Sequence, residues 1–373
     1  MRYFLVAGEA SGDLHAGELI KSLRKVDPDA VFAFMGGAAM EKAAACKPVL
    51  HYSAIAYMGF LSVLKHYGTI RKAARQVQQQ MLHFAPDCLI VVDSSGFNLR
   101  YILPFATKKL PQTKRFYYIA PKVWAWQSRR IRKIRKYCHL VLSILPFEGN
   151  YFRSRSVPCC YVGNPTREEL LPEYLNSWKP TRGIDHKELI ALLPGSRRQE
   201  IRNNLRQMVR VANSFPSYHF TIAAAPGIED NFYYPFLEKN ITIVRDSTYS
   251  LLAKARVALV TSGTATLETA LIGTPQVVVY RLNGLRIVNI LFRILMHIPY
   301  FSLVNLIAGR KVVAELLAAD ASVQRITSEL DKLLQPSAER ALIDGYNEVY
   351  RALGTKQASS EAAKCIFCYR LRG

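Results

Sequence analysis

The sequence predicts two doubly wound α/β domains in tandem. Three observations predict them: short continuous apolar runs that end in Gly, Asp or Ser, helical patterns between those runs, and one proline-rich break near the middle. Apolar runs of strand length separated by helices mark strands buried on both faces of a parallel sheet. Tyr3–Ala7 is the first, ending in Gly8-Glu9-Ala10-Ser11-Gly12-Asp13 before a helical pattern to about Val26. Val31–Met35 is the second and ends in Gly36-Gly37. Cys88–Val92 ends at Asp93, and Arg115–Ile119 and Leu140–Ile144 follow. Residues 163–187, with Pro165, Pro172, Pro180 and Gly183, carry little apolar periodicity and are expected to be an interdomain linker. A second series then begins with Leu189–Leu193, which ends in Pro194-Gly195-Ser196-Arg197. Phe220–Ala224 and Val257–Val260 continue it, the latter ending in Thr261-Ser262-Gly263-Thr264, and Gln276–Tyr280 is expected to close it. From about Gly284 the pattern is helical almost to the end.

A chain of 373 residues with 50% hydrophobic and 21% charged residues has the length for two domains and the apolar content for their cores. Disorder is excluded on composition. No apolar run reaches the roughly 18 residues of a spanning helix, and Met1–Gly8 reads as a strand rather than a secretory leader. Fifty Lys and Arg stand against 28 Asp and Glu, a net charge of +22, and most of the excess lies in residues 1–168. Such a field attracts nucleic acid, anionic lipid headgroups or phosphorylated substrates, and charge does not choose among them. The seven cysteines are odd in number and two are adjacent, which points to a reducing compartment rather than a disulfide framework. Cys365-x-x-Cys368 has no second pair at zinc spacing, and the Asp27-Pro28-Asp29 triplet reads as a turn, so no metal is expected.

In open α/β sheets ligands bind at the carboxyl ends of the strands. Ser262-Gly263-Thr264 opens a helix there, either a setting for a phosphate or a plain N-cap, and Glu268 lies about one turn on, where a carboxylate would accept from ribose hydroxyls. Arg197 has the same placement after Gly195-Ser196 and suits a diphosphate. Asp93, at the end of a buried strand, is either a general base on a hydroxyl nucleophile or a helix cap. Gly8-x-x-Ser11-Gly12-Asp13 lacks the spacing of a Walker or dinucleotide loop. Arg129–Lys136 packs six cations into eight residues after Val123-Trp124-Ala125-Trp126, which suits nucleic acid, an anionic membrane surface or a solvated helix face held by Ile131 and Ile134. Tyr57–Leu64 and Leu285–Ile298 are apolar stretches that fit a bilayer surface, an acyl chain or ordinary core.

Together the strand-end motifs resemble the lipid A disaccharide synthases, bacterial inverting glycosyltransferases. The resemblance rests on Val6–Asp13, Tyr57-Met58-Gly59-Phe60, Ile119-Ala120-Pro121-Lys122-Val123-Trp124-Ala125-Trp126 and Leu145-Pro146-Phe147-Glu148. It continues in Leu192–Arg197, Ser262–Glu268, Val279-Tyr280-Arg281 and Leu303–Arg310. It implies a GT-B fold of two Rossmann-like domains facing a cleft, with a helical C-terminus. The first, residues 1–165, would be the acceptor and membrane-facing domain, and the second, residues 185–345, would bind the UDP-sugar. A C-terminal helix at about 350–373 would pack back on the first domain or on a partner subunit, implying a homodimer with exchanged helices.

The implied reaction joins UDP-2,3-diacylglucosamine to 2,3-diacylglucosamine 1-phosphate without a metal or other cofactor, giving a β-1,6 disaccharide 1-phosphate and UDP. Asp93 would be the base and Arg197 would stabilise the departing UDP, with Ser196, Ser262, Gly263, Thr264, Glu268, Tyr280 and Asn305 binding the nucleotide. Gly8, Ser11, Asp13 and Asn98 would lie on the acceptor side. Met58, Phe60, Leu61, Trp124, Trp126, Arg129, Arg130, Arg132 and Lys133 would face the cytoplasmic side of the inner membrane, making the protein cytoplasmic and peripheral. One departure is marked: where the family commonly reads Asp-x-Pro-Asp-Phe-Asn, this chain has Asp93-Ser94-Ser95-Gly96-Phe97-Asn98. Leu303-Val304-Asn305 also replaces a Leu-Pro-Asn. A UDP-sugar epimerase of the same fold and a basic nucleic-acid-binding protein are the alternatives.

Overall fold

In the computed structural model, residues 1–55, 67–125, 128–174, 188–280, 299–335 and 338–371 are described. The chain divides into two compact units, Met1–Pro165 with Thr355–Gly373, and Thr166–Gly354.

The first unit is built on a seven-stranded sheet in the order β3-β2-β1-β4-β5-β6-β7, with every neighbouring pair parallel. The strands are β1 (Arg2–Ala7), β2 (Val31–Gly36), β3 (Leu50–His51), β4 (Cys88–Val92), β5 (Lys114–Tyr118), β6 (Leu140–Ser143) and β7 (Cys159–Tyr161). Period-two alternation splits β1 between two cores: Tyr3, Leu5 and Ala7 join one cluster, Phe4 and Val6 the other. On the first face, helix α1 (Ala10–Val26) buries Ala16, Leu19, Ile20 and Leu23, the stripe its spacing dictates. Helix α2 (Ala38–Ala44) follows β2. On the second face, α3 (Tyr67–Phe84) buries Ile70, Ala73, Ala74, Val77 and Met81. After β4 come α4 (Ser95–Phe97), a π turn over Asn98–Ile102 and α5 (Leu103–Lys109). The basic run folds as α6 (Arg130–Tyr137), and α7 (Glu148–Arg153) follows β6.

The second unit has a six-stranded parallel sheet in the order β10-β9-β8-β11-β12-β13. Its strands are β8 (Leu189–Leu193), β9 (His219–Ala223), β10 (Ile241–Val244), β11 (Val257–Thr261), β12 (Gln276–Tyr280) and β13 (Ala314–Leu317). The expectation that β12 closes the series is corrected, because β13 pairs outside it from Val277↔Ala314 to Tyr280↔Leu317. With four residues and Glu315 in its middle, β13 has no apolar run to announce it.

The expected linker also begins as structure. Pro165 opens α8 (Pro165–Tyr174), where its missing N–H costs nothing at a first turn, and Thr166, Arg167 and Leu170 are buried. The remaining helices of this unit are α9 (Arg198–Ala212), α10 (Thr248–Lys254), α11 (Thr264–Ile272), α12 (Leu303–Ala308), α13 (Val323–Leu334) and α14 (Ala338–Leu353). Helix α12 is capped by Ser302, whose Oγ accepts from Asn305 N, and α13 by Ser322 in the same way. The chain then returns to the first unit as α15 (Ala358–Leu371), which packs on α1 of its own chain and buries Ala362, Ala363 and Ile366 in the first-face core.

Candidate active site

In each sheet the strand order reverses once, and the chemistry-bearing residues gather beside the reversal. In the first unit it falls between β1 and β4, whose carboxyl ends carry Gly8 and Asp93. Neighbouring β5 is followed by the loop that carries Lys122, and β6 by helix α7, which Glu148 opens. In the second unit it falls between β8 and β11, which end in Gly195–Arg197 and Ser262–Gly263, with Tyr280 at the end of the next strand, β12.

Around Asp93 the backbone is strained. Asp93 and Ser94 have φ of 44° and 39°, and Ile119, at the end of adjacent β5, has 55°. Such left-handed residues cost of order 1–3 kcal/mol each and cluster where function demands them. The turn is held from beneath. Tyr117 Oη donates to the Asp93 carbonyl (2.8 Å), and Asn98 Nδ2 donates to the same oxygen (2.9 Å) and weakly to the carbonyl of Val92 (3.4 Å). The Gly8 loop lies directly on it: a Cβ at Gly8 would sit 2.5 Å from Ser94 Oγ, so only glycine fits. Ser94 Oγ and Asn98 Oδ1 are buried here without a hydrogen-bond partner among the described residues. Arg130 donates to Ser95 Oγ at the rim. Gly96, where the family's second carboxylate would stand, is exposed, and nothing lies within 4 Å of a Cβ built there.

Burial raises the Asp93 carboxyl pKa, opposed by the Ser94 N–H and the charge of Lys122. Lys122 stays open to solvent along part of its side chain, yet enough protein surrounds its ammonium for desolvation to lower its pKa, while Glu148 and Asp93 hold it up. Glu148 is buried and its pKa is raised to about 7, against a hydrogen bond from Trp124 Nε1 (3.0 Å) and one from the Leu145 amide (3.2 Å). Lys122 and Glu148 were not assigned roles from the sequence. Their signal is their position, since each follows the carboxyl end of one of two successive strands next to Asp93, Lys122 in a loop and Glu148 at the start of α7.

In the second unit Arg197 is the N-cap of α9, with an extended backbone and an exposed side chain. Tyr280 is half-buried, and its phenol pKa is raised by burial and by Glu200 and lowered by Arg197, so the three residues share one neighbourhood. Gly195 has φ +116°, and a Cβ there would meet Glu200 Oε2 at 2.5 Å; Glu200 also accepts from the amide of exposed Ser196. Asn204 ties the two strand ends together by donating to the Pro194 carbonyl (3.1 Å) and bonding Thr261 Oγ1 (3.0 Å). Ser262 Oγ donates to the Phe301 carbonyl (3.1 Å) and Thr264 is exposed. No side chain caps α11, and nothing lies within 4 Å of a Cβ built at Gly263, whose backbone is extended. The protein itself therefore does not demand glycine at 263.

Glu268 is pushed up to about 7 by burial and then by Glu169. A carboxyl raised in the folded state keeps its proton longer than in the unfolded chain, so its contribution to stability is present below about 4.5 and lost as pH rises towards 7. Relative to wild type, Glu268→Gln is therefore expected to gain stability between pH 5 and pH 8, read as the difference in unfolding midpoint at each pH. A difference that does not change with pH would refute the shift.

Several expected site residues have other work. Asp13 is buried and serves as a side-chain cap for α2: its carboxylate accepts from the amides of Gly37 (2.6 Å), Ala39 (3.0 Å) and Met40 (3.3 Å). Asn305 is fully buried and saturated by the scaffold. Its Oδ1 accepts from Val312 N (2.7 Å) and Val313 N (2.9 Å), and its Nδ2 donates to the Val313 carbonyl (3.0 Å) and Glu315 Oε1 (2.7 Å). Trp124, expected to face the membrane, is half-buried: its indole N–H donates to buried Glu148 and its ring packs edge-on against Phe147. Arg130 is likewise drawn to Ser95, whereas Arg129, Arg132 and Lys133 are exposed. Ser11 is exposed at the start of α1, and Asn98 is buried beneath Asp93. Met58, Phe60, Leu61, Trp126 and the Leu285–Ile298 stretch lie outside the described residues.

Comparison with known proteins decides the family. The model of the lipid-A-disaccharide synthetase family matches residues 3–367. A lipid-A-disaccharide synthase of Trichlorobacter lovleyi is 33% identical over 359 residues, covering 94% of this chain and 90% of that protein. One of Myxococcus xanthus is 33% identical over 375 residues, covering 98% and 96%. Among solved structures, the UDP-GlcNAc 2-epimerase of Neisseria meningitidis bound to UDP-GlcNAc has a TM-score of 0.63 over the full length of both chains, at 14% identity, a likeness of fold alone. With two doubly wound parallel sheets, a GT-B-like fold and a family match over nearly its whole length, the chain belongs to the lipid-A-disaccharide synthetase family, the glycosyltransferases of lipid A disaccharide synthesis.

Proposed function

We propose that the enzyme joins UDP-2,3-diacylglucosamine to 2,3-diacylglucosamine 1-phosphate with inversion, releasing UDP and a β-1,6-linked disaccharide 1-phosphate. The observation that carries this reading is Asp93, a desolvated carboxylate on a strained strand end with Gly8 pressed against its turn. Asp93 takes the proton of the acceptor 6-hydroxyl as that oxygen bonds to the donor's anomeric carbon and the bond to the diphosphate breaks. A base must be ionised, so the raised pKa of Asp93 sets a limb on which activity rises with pH. The departing diphosphate charge falls to Arg197 and the uncapped start of α11, where Gly263 lets the backbone approach a phosphate closely. Glu268 accepts from the ribose hydroxyls. Asn305 and Asp13 support this chemistry by holding loops rather than by touching substrate.

No metal is required on this reading. The test is a turnover assay in detergent with both substrates and EDTA present. UDP release that depends on the acceptor and is unchanged by EDTA is expected. UDP-sugar consumption without acceptor would favour an epimerase, and no UDP release under any condition would sink the reading.

Attachment to an anionic membrane surface on the cytoplasmic side follows from the same substrates. Among the described residues no helix is long and apolar enough to cross a membrane. Helix α6 buries Ile134 and presents Arg132, Lys133, Arg135 and Lys136 outward, with Arg129 just before it. Exposed charges are screened over about 8 Å at physiological salt. Binding to anionic liposomes is expected to fall several-fold from low to high salt and with Arg129→Glu/Arg132→Glu/Lys133→Glu, and salt-independent binding would refute an electrostatic anchor. A homodimer is part of the same proposal, with α15 kept on α1 of its own chain rather than exchanged.

A further inference from the structure

Outside the two strand-end clusters, Cys160 on β7 and Cys365 on α15 form an unusual pair. Their sulfurs lie 3.3 Å apart although 205 residues separate them in the chain. Both are half-buried free thiols. Strand alternation turns Cys159 to the opposite face of the sheet, packed with the other core, so Cys160 alone of the adjacent pair meets α15. Cys368, one turn beyond Cys365, is exposed.

Fixed elements hold this meeting in place. Lys356 Nζ donates to the Tyr161 carbonyl (3.0 Å). Gly163, with φ +104°, lies so close to Lys356 that a Cβ would sit 2.5 Å from its carbonyl oxygen. Ala362, Ala363 and Ile366 anchor α15 in the core beside the pair.

We propose that Cys160 and Cys365 are a redox pair that closes to a reversible intrachain disulfide under a peroxide oxidant, fastening the returning C-terminal helix to the edge strand. The bond would close a loop from residue 160 to residue 365 that contains the whole of the second unit. The two sulfurs share one hydrogen bond, and with Cys365 as its donor that bond draws the Cys160 pKa down, helped by Lys356 and opposed by burial and Glu361. In that arrangement Cys160 is the attacking thiolate. Its sulfur attacks one peroxide oxygen, the O–O bond breaks, and hydroxide leaves and is protonated to water. The Cys365 sulfur then attacks the Cys160 sulfenic acid, the S–O bond breaks, and the oxygen departs with the Cys365 proton as a second water. Two thiols lose two electrons and peroxide gains them.

The test treats the full-length protein with a small excess of hydrogen peroxide, quenches it and blocks remaining thiols under denaturing conditions before peptide mapping. Wild type is expected to fall from seven titratable thiols to five, with a Cys160–Cys365 crosslink within one chain that dithiothreitol reverses. Cys365→Ser is expected to trap a sulfenic acid at Cys160, detected with dimedone. The oxidised wild type is expected to unfold at a higher temperature than the reduced form, a shift that Cys160→Ser lacks. Retention of seven thiols, a crosslink between other cysteines, or a disulfide-linked dimer would each overturn the proposal.

Discussion

Asp93→Asn is expected to lower kcat by about 10²–10⁴-fold, the usual worth of a positioned general base, with KM for both substrates within a few-fold of wild type. The substitution isolates the proton-accepting oxygen. Asparagine tolerates the left-handed backbone at 93, and the carbonyl that Tyr117 and Asn98 hold belongs to the main chain and survives. The variant should therefore unfold near the wild-type temperature, and the activity limb set by the Asp93 pKa should vanish. Steady-state kinetics across pH together with thermal unfolding checks both halves. A folded Asp93→Asn retaining more than about a tenth of kcat would remove Asp93 from the role of base.

Asn305→Ala is expected to cost about 3–5 kcal/mol of unfolding free energy, because it strands the Val312 and Val313 amides and removes a donor from Glu315. Glu315 also accepts from the amides of Phe301 (2.9 Å) and Ser302 (2.8 Å), and the Phe301 carbonyl in turn receives the Ser262 hydroxyl. Asn305 is thus three hydrogen bonds away from the loop at the start of α11, and its loss would loosen that loop. Denaturant unfolding measures the cost. An unchanged midpoint with weakened UDP binding would instead make Asn305 a ligand contact.

The contrast between these two residues shows what the sequence could carry. Asp93 was legible because β4 is a continuous apolar run buried on both faces, and the first polar residue after such a run stands at a strand end. The same logic located Gly8, Arg197 and Ser262. It also located most of the strands, since Val, Ile and Leu runs at β1, β4, β8, β11 and β12 have no other place to be buried. It failed where an element is short or mixed, as at β13, and where proline opens a helix instead of interrupting the chain, as at α8.

Side-chain roles set by long-range approach were not legible. Asp13 reads as part of a ligand loop until its carboxylate is seen to meet the amide of Gly37, 24 residues on. Trp124 reads as a membrane anchor, and its bond to Glu148 is not visible in the sequence. In each case the partner is fixed by how segments distant in the chain meet over the sheet, and a linear pattern does not encode that meeting.

In the proposed mechanism the sugar moves in one in-line displacement assisted by Asp93. The most direct measurement is the anomeric configuration of the disaccharide made by the wild-type enzyme, read by NMR from the coupling of the new anomeric proton. A β linkage to the acceptor 6-oxygen from an α-linked UDP donor is expected. An α linkage would contradict it, because retention requires a second displacement that a single base at Asp93 does not supply.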